Sequence, residues 1–323
     1  MEKRVYGVLG ICSIMANWNA DFTGYPKTTS EGEVFGSDKA FKYPIKKGWD
    51  NSGEKVLYIK SMKFSEDKKK NIILVPKSLK ERYEYIFGIK DLKECKDSRE
   101  VLTNLFKAID VKNFGATFAE TGTNFSITGA VQIGQGLNKY EETQADEQQI
   151  LSPFRDSKDL EKKQKNKKDD EDVEEAKNST LGTKIVSTEA HYFYPFSINP
   201  LAYKDYVALG FTNGYTEEDY NKFKEAALVS ATSYATNAKL GCENEFALFV
   251  ETEKDLYIPN LSQYITFEKG EEKDVIAVKC GKLLNSLDGK IKNIEIYYNP
   301  YTTVIETDIK GANILDIFTK QEV

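Results

Sequence analysis

The sequence predicts an α+β protein organised around a ferredoxin-like sheet, and three observations carry that reading. A long β-prone segment, "RVYGVLGICSIMANWN", opens the chain with loose alternation and many β-branched and aromatic residues. The strongest helical pattern, "GYTEEDYNKFKEAALVSATSYATNA", lies between two strand-like segments. Near the end, "DVIAVKC", "GKLLNSLDG" and "KIKNIEIYY" read as strand, helix and strand, a second β-α-β half of the kind many RNA-binding domains share.

The chain has 323 residues, 40% hydrophobic and 30% charged, enough to bury a large core and unlike a disordered composition. Its net charge of −6 argues against a surface that binds nucleic acid everywhere, so a phosphate site must be a local basic groove. The four cysteines form no CxxC pair, which speaks against a zinc or disulfide framework and for a reducing compartment. No apolar run approaches about 18 residues and no signal peptide precedes the first strand. A soluble cytoplasmic protein without a membrane partner is therefore expected.

In chain order, the first strand gives way to a polar loop over residues 17–35. Ser37 then caps a short helix, "SDKAFKYPIKK", in which Pro44 is out of place beyond the first turn. Lys39, Lys42 and Lys46 fall at i, i+3 and i+7 on one helical face, where they can meet successive phosphates. "KVLYIKS" and "NIILVP" read as short strands. In "KSLKERYEYIFG", Ser78 caps a helix, Glu81 completes a capping box and Gly88 closes it. Val101, Leu102, Leu105, Phe106 and Ile109 form the apolar face of another helix over 99–109, and this whole block reads as an insertion with its own small core.

Residues 113–139, "NFGATFAETGTNFSITGAVQIGQGLNK", hold two β-prone segments with glycines at 115, 122, 129, 134 and 136. Such glycines mark bends, bulges, or close approach of a ligand or another backbone. Residues 141–178 pass from a lysine block to an acidic block; 158–178 read as a solvated loop between the stems of a hairpin. "TKIVSTEAHYFYPFSINP" is a strand broken by Pro195 and Pro200. Thr216 caps the best helix, whose stripe is Tyr220, Phe223, Ala227, Ala231 and Tyr234, and "EFALFVE" is a buried strand.

Catalytic chemistry finds few candidates. The one histidine, His191, sits among aromatics, where packing in a strand is its ordinary role. Centres built on several histidines are excluded within one chain, no Walker motif occurs, and "GVLGIC" lacks the third glycine of a Rossmann turn. Asp21 and Asp38 flank the loop after the first strand and can serve as a general base or Mg²⁺ ligand, although turn formation and helix capping are their ordinary uses.

Two stretches, "SDKAFKYPIK" and "FGATFAETGTNFSITGAVQIGQGLNKYEETQ", resemble the backbone subunit of type I CRISPR Cascade complexes, the Cas-seven family, most of all its type I-B (Csh-two-like) branch. Members often read "NPNGDP" after the first strand, then "TDV.LKR.IR", "FG…SITGPVQ" and a "GTK" strand. The corresponding places here are "NWNADFTGYPKT", "SDKAFKYPIK", the SITGAVQ region and "LGTKIVSTEAHYFYP". The resemblance implies a modified ferredoxin-like (RRM-like) palm spanning 1–323, with a fingers insertion at 48–100 and a protruding thumb hairpin at 141–182.

It also implies a non-catalytic protein without metal or cofactor that binds CRISPR RNA and polymerises head-to-tail along the spacer. The guide is presented to a target DNA strand, alongside other Cascade subunits. Lys42 and Lys46 fall on basic positions of "LKR.IR", with Lys39 beside them. Thr117 lies near where some relatives place a side chain against the guide bases, and Asn19, Ser126, Gly129, Gln132 and Lys184 are the remaining RNA-contact candidates on matched motifs. Residues 126–132 would form the central palm strand, and Gly134 and Gly136 would mark the passage to the thumb. The chain departs from the pattern where "NGDP" becomes "NADF" and where the motif arginines become Tyr43 and Lys46, which removes bidentate phosphate geometry. Two other functions remain open: a metal-dependent RNase of the type III backbone kind using Asp21, and a general RRM-like RNA-binding module.

Overall fold

The computed structural model describes residues 1–95, 97–151, 181–287 and 289–323. Most of the expected thumb, residues 152–180, lies outside them. The first strand, β1 (Lys3–Ala16), matches its sequence pattern. After the loop and the two-residue β2 (Phe35–Gly36), α1 (Asp38–Asn51) begins where Ser37 Oγ accepts the Ala40 N–H at 3.3 Å. The helix continues through Pro44. The prolyl ring is buried beside Phe41, Ile45 and Trp49, so the lost i→i−4 bond is set against core packing.

Residues 55–61, expected as a strand, form none. Val56, Leu57 and Ile59 are buried, and two of the segment's N–H groups are taken by a side chain described below rather than by a ladder. The strands come later, as the hairpin β3 (Met62–Glu66) and β4 (Ile72–Pro76), followed by α2 (Leu79–Phe87). Ser78, Glu81 and left-handed Gly88 cap α2 as expected. The helix expected at 99–109 is two helices, α3 (Ser98–Leu105) and α4 (Ile109–Phe114). Tyr83, Val101 and Leu105 join the same apolar cluster as Phe41 and Phe223, so this block shares the main core and has no small core of its own.

Next come the hairpin strands β5 (Gly115–Glu120) and β6 (Thr123–Thr128), which form a separate two-stranded sheet. Their loop is Thr121–Gly122 with both φ positive, the geometry whose twist suits a two-residue hairpin. Residues 126–132 are therefore not a central strand. They end this hairpin and enter β7 (Val131–Ile133), a short strand beside β10. β8 (Gly136–Asn138) and β9 (Ala145–Leu151) also pair with β10 (Leu181–Ile198), which runs unbroken through Pro195. Gly136 is part of the sheet: a Cβ there would come within 2.4 Å of the Tyr194 ring.

After β10 follow α5 (Lys204–Ala208) and α6 (Glu217–Ser233). Thr216 and Asp219 form the capping box of α6, and its buried stripe is Tyr220, Phe223, Ala227 and Ala231. The rest of the chain forms β11 (Cys242–Glu253), β12 (Ile265–Glu268), β13 (Asp274–Val278), α7 (Gly281–Asn285), β14 (Ile291–Tyr298), β15 (Thr303–Thr307) and β16 (Asn313–Asp316).

Nine of these strands make one sheet in the order β16-β14-β11-β1-β10-β8-β2, with β7 and β9 also on β10. β1 is antiparallel to both neighbours, and α6 connects β10 to β11 across it. One face packs Val5, Leu9 and Ile11 against α1 and α6. The other packs Val8, Phe193 and Leu248 against the small sheet β12-β13-β15. Burial on both faces explains the nearly continuous apolar run of β11. The β13-α7-β14 segment is not a β-α-β unit of one sheet, because β13 belongs to the small sheet and β14 to the large one.

Gly115 and Gly129 require each other. With φ of +82° at Gly115, an added Cβ would lie 2.2 Å from the Ile127 carbonyl oxygen. One on Gly129 would lie 2.2 Å from the Phe114 carbonyl carbon. The close approach read from the glycine pattern is thus one backbone against another at the mouth of the β5–β6 hairpin. Gly115→Ala should cost at least about 2 kcal/mol from positive φ plus contact. Gly53→Ala, where φ is +88° but nothing lies within 4 Å, should cost roughly 1 kcal/mol. Equal losses in urea unfolding of the two variants would remove the contact from this account.

Candidate nucleic-acid interface

The basic face of α1 meets the hairpin mouth. Lys42 Nζ is 2.8 Å from Asp38 Oδ2 and lies 5.4 Å from the centre of the Phe114 ring. Trp49 stacks on that ring at 5.7 Å, and Phe223 meets it edge-on at 6.3 Å, so Phe114 is fixed from the core side. Lys46 is half-buried, and burial holds its pKa below the usual lysine value despite the attraction of Asp110. It has no ion-pair partner among the described residues. A desolvated ammonium with no carboxylate in direct contact favours an arriving anion more than a paired one does.

Asp110 organises the ground beneath. Buried to 1% exposure, it accepts the Leu57 and Tyr58 N–H groups at 2.8 and 2.7 Å. Burial raises its pKa, against the pull of these two bonds and of Lys46. Tyr58 in turn donates its hydroxyl to the Thr117 carbonyl at 2.6 Å. Thr117 pairs with Ser126 across the hairpin, and both side chains are exposed. Tyr203 ties down the other end, donating to the Lys112 carbonyl at 2.7 Å and accepting from the Ala130 N–H at 3.0 Å. The Lys112–Asp219 ion pair at 2.7 Å joins α4 to α6.

Lys42 thus meets Phe114, Thr117 and Ser126 face each other on the exposed hairpin, Lys46 lies one turn further along α1, and Gly129 is buried against the Phe114–Gly115 backbone. Gln132 is exposed near them, its amide donating to the Gly129 carbonyl at 2.8 Å. Lys39 is exposed on α1. Lys184 lies apart, in the β9–β10 ladder opposite Gln148. Asn19 has a structural role: its Oδ1 accepts the Ser37 N–H at 2.7 Å, fastening the loop to the start of α1. The same loop is held to the β9–β10 ladder by Asn17 Nδ2 on the Ile185 carbonyl at 3.2 Å and by Tyr25 on Glu147 at 2.7 Å. Asp21 closes a turn, its Oδ1 accepting from the Thr23 N–H, the Thr23 hydroxyl and the Tyr25 N–H. Those bonds lower its pKa.

Residues that the sequence reading passed over are the ones acting at long range. Asp110 and Tyr58 carry no local signal. Lys239, desolvated with a lowered pKa, donates to the Asn17 and Trp18 carbonyls at the end of β1. Arg82, buried, joins Asp50 at 2.8 Å and the Val56 carbonyl at 2.7 Å, locking α2 to the end of α1.

Residues 3–280 match the family model for CRISPR-associated protein Cas7. The chain belongs to the Cas7 family. Among solved structures, this Cas7-family chain is similar to a chain titled "CRISPR RNA-guided surveillance complex, pre-nicking", at 12% identity and a TM-score of 0.49, covering 94% of this chain and 96% of that one. It is also similar to one titled "CRISPR RNA-guided surveillance complex", at 13% identity and a TM-score of 0.46, covering 98% and 93%. No curated protein matches the sequence.

Replacing Asp110 tests the support under the site. Asp110→Ala strands the buried Leu57 N–H and the partly buried Tyr58 N–H and should cost about 2–5 kcal/mol, whereas Asp110→Asn keeps one acceptor and should cost less. Denaturant midpoints measure the order, and the reverse order would refute the anchoring role.

Proposed function

We propose that this Cas7-family protein is a non-catalytic CRISPR RNA-binding backbone subunit of a type I surveillance complex, of the type I-B (Csh-two-like) branch, acting in the cytoplasm. Copies assemble head-to-tail along the guide and present it for pairing with a target DNA strand, beside other Cascade subunits. The observation that carries this reading is the meeting of Lys42 with Phe114 at the mouth of the hairpin whose Thr117–Ser126 pair is exposed, with half-buried Lys46, in no ion-pair contact among the described residues, one turn further along α1. In this arrangement lysines take phosphates while the hairpin supports the guide from below. The palm corresponds to β1, α1, β7/β8, β10, α6 and β11, whose order β11-β1-β10-β8 and antiparallel pairing fit a ferredoxin-like sheet. Self-assembly is supported by the β3–β4 hairpin, which exposes Phe64, Ile72 and Leu74.

The two lysines are not equivalent in this reading. Lys42 must exchange Asp38 for a phosphate, and Lys46 exchanges nothing. Lys46→Ala should therefore weaken binding more than Lys42→Ala. The double variant should reduce the slope of log affinity against log salt by about 1.4, at ~0.7 for each single-strand phosphate contact. An unchanged slope in filter binding of a spacer-length RNA would overturn the assignment.

Because burial lowers the Lys46 pKa, its proton is lost as pH rises before that of an ordinary lysine. RNA affinity should fall early on the alkaline side, and Lys46→Arg, which stays charged, should shift the fall to higher pH. Identical pH profiles for the two proteins would separate Lys46 from RNA binding. Asp21→Ala tests the nuclease alternative; cutting of guide-matched RNA by the wild type and none by the variant would replace the non-catalytic reading.

A further inference from the structure

A polar cluster occupies the face of the large sheet that carries the small sheet, where the apolar packing gives out. His191 is only 2% exposed. Its Nδ1 lies 2.8 Å from Glu245 Oε2 and its Nε2 3.1 Å from Glu189 Oε1. Phe267 stacks on the imidazole, with ring centres 3.6 Å apart, and fixes its plane. Asp274, at the start of β13, turns to the same point. The ligand atoms of Glu189, His191 and Asp274 all lie within 4.8 Å of one another. Lys269 places its ammonium there, 2.6 Å from Glu189 and 3.3 Å from Asp274.

A second observation concerns the carboxylate behind His191. Glu245 is 5% exposed, and its Oε1 has no hydrogen-bond partner. It lines the same cavity, of about 330 Å³, as His191, Lys269 and Asp274. A buried carboxylate oxygen without a donor signals a site short of positive charge.

We propose that Glu189, His191 and Asp274 bind one divalent transition-metal ion of the zinc type, with Glu245 as the outer carboxylate that orients His191. In the structure the Nε2–H of His191 donates to Glu189; metal entry would release that proton to solvent, and with Nδ1–H kept on Glu245 the freed Nε2 lone pair would face Glu189 and Asp274, the carboxylate–histidine–metal arrangement. One imidazole and two carboxylates suit zinc and leave a fourth position for water. Magnesium, which prefers an octahedral shell of oxygens, suits the set poorly. Lys269 holds the place of the ion. Its side chain is 46% exposed, so it can swing out as the metal enters. Glu189 and His191 belong to β10 of the large sheet and Asp274 to the small sheet, so the ion fastens one sheet to the other. The site does not depend on RNA binding.

The test uses the full chain, stripped with chelator and titrated with Zn²⁺ by calorimetry and with Co²⁺ by visible absorption. One ion per chain, ligand-field bands of His/carboxylate-bound Co²⁺ and a thermal midpoint raised by Zn²⁺ are expected. Glu245→Gln should weaken affinity by roughly 10–100-fold with all three ligands in place. Lys269→Met, which removes the competing charge, should tighten it by on the order of tenfold. No Co²⁺ bands in either the wild type or Lys269→Met, or a Lys269→Met protein that loses stability and gains none from Zn²⁺, would overturn the proposal and leave a closed ion-pair network.

Discussion

The pairing of β1 with β10 on one side and β11 on the other is the constraint from which the rest of the molecule follows. Because β1 is buried on both faces, its side chains serve two cores, Leu9 and Ile11 toward the helices and Val8 toward the small sheet. Chemistry is displaced to where the ladder ends: the loop after Ala16, the outer side of α1, the β5–β6 hairpin, and the polar end near Cys12 and His191.

Charge follows the same division. The chain is acidic overall, and Asp169 to Glu175 alone contributes six acids. Most lysines with named partners face carboxylates: Lys3, Lys42, Lys80 and Lys222 all form ion pairs. The more exposed of these, such as Lys222 with Glu54, contribute little to stability, about 0–1 kcal/mol. What distinguishes Lys46 is its setting: it is desolvated and sits over a buried carboxylate already engaged by two backbone N–H groups.

Features settled within a few residues were legible in the sequence. Ser78 with Glu81, and Thr216 with its acidic first turn, declare their helices because capping acts over one turn. The spacing of Lys42 and Lys46 on a helical face was legible for the same reason. Longer-range effects were not. Residues 55–61 alternate like a strand, but Asp110, more than fifty positions away, takes their N–H groups. Pro195 reads as a break, yet β10 continues because β1 and β7 hold its flanks. The strand-helix-strand pattern near the C-terminus was correct in its elements and misleading in its topology, since hydropathy does not say which sheet a strand joins. His191 gave no hint of Glu245 or Asp274, which only the fold brings to it.

That C-terminal segment has a consequence of its own. β13 and β15 pair in parallel in the small sheet, while β14 and β16, alternating with them along the chain, build the edge of the large one. The polypeptide is laced between two layers like a seam. Ile294, Ile296 and Tyr298 on one side of the seam share an apolar cluster with Ile276 and Val278 on the other. Neither layer can peel away alone, because each is stitched by strands whose connections pass through its neighbour. The family match stops at residue 280, whereas the stitching continues to β16. The last forty or so positions therefore work as the thread that joins the two sheets through one shared apolar cluster.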